Sequence, residues 1–104
     1  MGILIKNGTV IDGSGKAGVK ADLYIKDDKL AKLGEGIEAA ALAEDPGATV
    51  IDAAGKVVCP GFIDIHSHSD FSMPVDGGPM TEKLRQGVTT AVLGSCGMSA
   101  APVN

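Results

Sequence analysis

A chain of 104 residues suits one small domain and falls far below the roughly 250 that a complete (β/α)8 barrel needs, so any barrel signature in it marks only part of one. Hydrophobic residues at 44% and charged residues at 21% read as globular and exclude a disordered or fibrous chain. A formal charge of −4 without a basic cluster argues against nucleic acid and against an anionic membrane surface, both of which need concentrated Lys and Arg.

In chain order, Ile3-Leu4-Ile5 and Thr9-Val10-Ile11 are short β-rich runs on either side of Asn7-Gly8, which predicts strand, turn, strand. Ala21 to Ile25 alternates up to Lys26-Asp27-Asp28-Lys29, and Leu30 to Leu33 returns, which predicts a β-hairpin. The Ala-rich stretch Glu38 to Glu44 predicts one or two helical turns, stopped by Asp45-Pro46-Gly47 because proline cannot continue a helix. Thr49-Val50-Ile51 is the next strand, and it turns at Ala53-Ala54-Gly55 into Lys56-Val57-Val58. Beyond Cys59-Pro60-Gly61, the run Phe62 to His66 is apolar on both faces, as expected of a strand buried between layers. A Gly/Pro-rich loop from Ser69 to Pro79 leads to a helix over Met80 to Gln86, closed by Gly87, and then to the β-branched strand Val88 to Leu93. Strand, helix, strand in this order implies a parallel βαβ crossover.

His66 and His68 are the only two histidines, and they lie two apart at the end of an expected strand. A period of two puts both on one face, where two imidazoles on a rigid element can reach one metal ion at little ordering cost. An inert, hydrogen-bonded pair at a strand end is the plainer alternative. Asp64 and Asp70 share that face by parity, and either could orient an imidazole through its second nitrogen. Cys96, within Gly94-Ser95-Cys96-Gly97, follows the second strand of the βαβ unit and reaches the same carboxyl edge, where functional groups of parallel α/β folds gather. A thiolate there is a zinc ligand, and a small buried hydrophobe is the structural alternative. Cys59, on the entering side of its strand, is expected to be structural. Ser67 and Ser69 flank His68, but no general base pairs with either, and Gly13-Ser14-Gly15 lacks the spacing of a phosphate-binding loop. Two cysteines cannot build a disulfide framework, no apolar run approaches the ~20 residues of a membrane span, and no signal segment opens the chain, so a cytoplasmic protein is expected.

The run Val58-Cys59-Pro60-Gly61-Phe62-Ile63-Asp64-Ile65-His66-Ser67-His68, preceded by Ile5-Lys6-Asn7-Gly8-Thr9-Val10-Ile11-Asp12-Gly13, resembles the start of an amidohydrolase-superfamily enzyme. Gln86-Gly87-Val88-Thr89-Thr90 and Gly94-Ser95-Cys96-Gly97-Met98-Ser99-Ala100-Ala101-Pro102 narrow the resemblance to the N-acyl-D-amino-acid deacylases, the D-aminoacylases. The resemblance implies a β-rich mixed α/β chain: residues 1–60 as part of a urease-like composite β-sandwich, and residues 61–104 as the start of a metal-dependent (β/α)8 barrel. It implies zinc as cofactor, with His66 and His68 at one metal position and Cys96 at the more tightly held zinc beside histidines from later strands. Ser95 stands where many relatives have Asn. The implied reaction is hydrolysis of N-acyl-D-amino acids to D-amino acid and carboxylate. No catalytic residue of the family falls in this chain, so the 104 residues alone are expected to be inactive and to need downstream sequence or self-association. Two alternatives stay open: a hydantoinase- or dihydroorotase-like branch, against which Cys96 speaks, and a non-catalytic β-sandwich interaction module.

Overall fold

In the computed structural model, which describes residues 2–69, 81–95 and 97, the first strand, β1 (Gly2–Val10), runs straight through the expected turn at Asn7-Gly8. Asn7 takes a left-handed φ of 64°, a conformation that asparagine tolerates better than most residues. The ladder to the next strand slips by one residue there, because the steps from Ile5 to Gly8 pass only those from Leu23 to Ala21. The dipeptide therefore makes a β-bulge inside one strand. Its backbone N–H is accepted by Asp22 Oδ1 at 2.9 Å, and its side-chain amide donates to Asp52 Oδ1 at 3.1 Å. These partners lie far along the chain, so no local pattern distinguishes bulge from turn.

The expected hairpin forms from β2 (Val19–Lys26) and β3 (Lys29–Gly34), with Asp27 at a φ of 56° in the turn. Helix α1 (Glu38–Glu44) keeps the bounds that its alanines predict, with Glu38 in its first turn, where the helix dipole favours an anion. The Asp45 N–H still bonds back to the Ala41 carbonyl at 2.9 Å, and Pro46 ends the run. Strands β4 (Thr49–Asp52) and β5 (Val57–Val58) both lie parallel to β1, on the edge that β2 leaves open. The result is a mixed five-stranded sheet ordered β3-β2-β1-β4, with β5 beside the far end of β1. Leu4 and Tyr24 are direct antiparallel partners and so share a face of the sheet, and Ala41 of α1 is buried against them. Ile37, Leu42 and Ala48 complete this small core.

The chain divides into two compact units, Met1–Pro60 and Gly61–Asn104. The second unit pairs β6 (Phe62–Ser67) in parallel with β7 (Val88–Leu93), and the chain between them includes α2 (Thr81–Arg85). Gly87, at a φ of 87°, closes the helix: its N–H bonds to the Leu84 carbonyl, and its own carbonyl accepts the Phe62 N–H at 2.8 Å. The parallel crossover expected from the sequence is present. Phe62, Ile63 and Ile65, apolar residues on both faces of β6, are 56, 64 and 74% exposed. Among the described residues no helix is long and apolar enough to cross a membrane, which says nothing of a β-barrel.

Candidate metal centre

Strand β6 delivers His66 near its carboxyl end, and His68 follows just beyond it. The two rings meet edge to face, with centroids 5.5 Å apart and planes at 66°, and both residues are exposed. A tetrahedral ion bonded to two imidazoles at about 2.1 Å spaces their centroids by roughly 5 Å. The observed separation is of that size, so the spacing of the two rings leaves room for one ion of the zinc type between them. Among the described residues no group of three or more His, Cys, Asp or Glu gathers into a metal cage. Cys96 and Asp70 lie outside the described residues. Gly94 and Gly97, which precede and follow that cysteine in the chain, have φ values of 74° and 76°, and the Gly97 N–H bonds to the Gly94 carbonyl at 3.2 Å.

Asp64, expected to back an imidazole, has different partners. Its Oδ1 accepts the His66 backbone N–H at 3.2 Å, and its Oδ2 accepts the Lys83 ammonium at 2.5 Å. That ammonium, and after it the His66 N–H, hold the Asp64 carboxyl below the usual carboxylate range. Lys83 also donates to Ser67 Oγ, which lies 2.6 Å from Ser69 Oγ and accepts the Ser69 N–H at 3.3 Å. Ser67 is buried, so its hydroxyl serves this network and is not displayed as a nucleophile. Sequence reasoning missed Lys83, whose partners lie 19 and 16 residues away, across the crossover.

In the first unit, two acidic residues beside a concavity have partners of their own. A concavity of about 320 Å³ has Asp22 and Glu38 in its wall, but Asp22 secures the Asn7 bulge and Glu38 pairs with Lys6 at 2.7 Å. Cys59 is an exposed free thiol.

Residues 49–102 match the amidohydrolase family, a span that contains β6, both histidines and Cys96. A D-aminoacylase from Alcaligenes xylosoxydans xylosoxydans is 45% identical over 101 residues, covering 97% of this chain and 19% of that protein. A crystal structure of an N-acyl-D-glutamate deacylase from Bordetella bronchiseptica, complexed with zinc and a phosphonate mimic of the tetrahedral intermediate, is similar at 42% identity. Its TM-score is 0.80, over 97% of this chain and 20% of that one. A D-aminoacylase structure with a binuclear metal centre is similar at 43% identity and a TM-score of 0.79, with the same coverage. The chain thus spans about a fifth of the length of these relatives. Since the family match extends over more than half of the 104 residues and includes the His-x-His strand, the chain belongs to the amidohydrolase family.

Proposed function

We propose that this chain carries the first metal-binding strand of a zinc-dependent hydrolase that cleaves N-acyl-D-amino acids to a D-amino acid and a carboxylate. The observation that carries this reading is the paired placement of His66 and His68 at the carboxyl end of β6, in a chain 45% identical to a D-aminoacylase. In this reading residues 1–60 belong to a β-sandwich, and residues 61–104 open a (β/α)8 barrel in a cytoplasmic enzyme. The mixed five-stranded sheet and the parallel β6-α2-β7 crossover support that division. His66 and His68 hold one metal position, and Cys96 ligates the more tightly bound zinc. Bound zinc supplies Lewis acidity toward an amide carbonyl and toward water. The chain's own part is to aim two neutral imidazole nitrogens and one thiolate at the metal positions; the proton-transferring carboxylate and the substrate contacts belong to sequence beyond these residues.

The test is zinc content alongside kcat in the full-length protein. Cys96→Ala should lose tightly bound zinc and amide hydrolysis together, whereas a structural cysteine would cost only a modest packing loss. His66→Asn and His68→Asn should each impair the second metal position and leave the tight zinc in place. A Cys96→Ala protein that kept both zinc and turnover near parent values would overturn the ligand assignment, and with it the choice of this branch of the family.

A further inference from the structure

The residues around His66 and His68 are tied together from a helix. Lys83, on α2, places its ammonium between Asp64 Oδ2 and Ser67 Oγ. Asp64 lies two residues before His66, and Ser67 lies between the two histidines. The Asp64 carboxylate also accepts the His66 backbone N–H at 3.2 Å, so it links the ammonium to the peptide that carries the His66 ring. Ser67 continues the chain of contacts to Ser69, beyond His68, through the 2.6 Å hydroxyl pair. Over this same stretch β6 departs from regular pairing, because Asp64 to Ser67 passes only Ala91 to Leu93 of β7. An irregular strand end aims side chains that a regular ladder would point elsewhere, and it needs contacts from outside the ladder to hold its shape.

We propose that Lys83 is a positioning residue for the metal site: by holding Asp64 and Ser67 together, its ammonium fixes the irregular end of β6 so that His66 and His68 face one ion. The inference rests on the zinc reading above. It adds a residue on another element that neither touches the metal nor reacts. Groups that orient metal-bound histidines from outside the ligand set typically change metal affinity by about 10- to 100-fold when removed.

The experiment measures zinc affinity by chelator competition, with kcat and KM for an N-acyl-D-amino acid, in the full-length protein. Lys83→Met should weaken the metal position held by His66 and His68 by about 10- to 100-fold and lower kcat, with KM changed by less than about twofold. Lys83→Arg, which still reaches both acceptors with a cation, should restore most of the loss. Because Lys83 acts through Asp64, Asp64→Asn combined with Lys83→Met should lose no more affinity than the worse single variant. Losses that add, or a Lys83→Met protein with parent zinc affinity, overturn the proposal. If Lys83→Met lacks a cooperative unfolding transition, Asp64→Asn decides by the same standard: a loss of about tenfold or more upholds the proposal, and unchanged affinity overturns it. His66→Asn separates the two levels. If it lowers zinc affinity while Lys83→Met does not, only the positioning role falls; if neither His66→Asn nor His68→Asn affects zinc, the metal reading falls with it.

Discussion

Asp45 shows how much one side chain can organise. Its Oδ2 accepts the Gly2 N–H at 2.7 Å and the Tyr24 hydroxyl at 3.3 Å, and its Oδ1 accepts the Gly47 N–H at 3.2 Å. It thus joins the start of β1, the buried tyrosine and the end of α1. The Gly2 N–H first, and then the Tyr24 hydroxyl, outweigh partial burial and hold the carboxyl below its ordinary value of 3.8. A folded-state pKa below the unfolded one stabilises the fold fully above pH 3.8, and that contribution disappears as pH falls through the folded value. Melting temperature should therefore fall more steeply below about pH 4 for the parent than for Asp45→Asn, which has no carboxylate to protonate. Parallel Tm curves for the two proteins over that range would show that Asp45 does not drive the acid sensitivity.

At the scale of elements, the close approach of β6 and β7 depends on a missing side chain. A Cβ built on Gly61 would fall onto the Thr89 side chain, including Thr89 Cβ, which cannot rotate away. The glycine of Pro60-Gly61-Phe62 therefore has a packing reason besides any turn it makes. Gly61→Ala should destabilise the β6-β7 pair by about 1–3 kcal/mol, as overpacking typically does. Urea unfolding midpoints check this, and Gly61→Ala with Thr89→Gly should recover part of the loss. An unchanged midpoint for Gly61→Ala alone would mean that the strands separate there at no cost. Two of the strand irregularities, at Asn7 and around His66, have contacts to acceptor groups distant in sequence or to an ion pair from another element.

For the whole chain, the outcome depends on area. Phe62, Ile63 and Ile65 expose more than half of their surface, and among the described residues the β6-β7 pair has unpaired edges that a closed barrel would not have. The 104-residue chain made alone should therefore self-associate, and it should show no turnover of N-acyl-D-amino acids with added zinc. Sedimentation velocity across a range of concentrations checks the first point; a monomer that stays monomeric at every dilution and unfolds cooperatively would favour an autonomous module. Activity that co-purified with the chain would contradict the second.

The sequence by itself determined the hairpin, the bounds of α1 and the parallel crossover, because each follows from spacing over a few residues: alternation, alanine content, a terminating proline. The family was legible for a related reason, since its motifs are short and contiguous. Two features were decided only by tertiary structure. Asn7-Gly8 became a bulge because Asp22 and Asp52 lie beside it, and Asp64 turned to Lys83 instead of backing an imidazole. In each of these the deciding partner is many residues away or on a separate element, and local patterns of hydrophobicity and propensity carry no information about which distant groups the fold will bring within hydrogen-bonding distance.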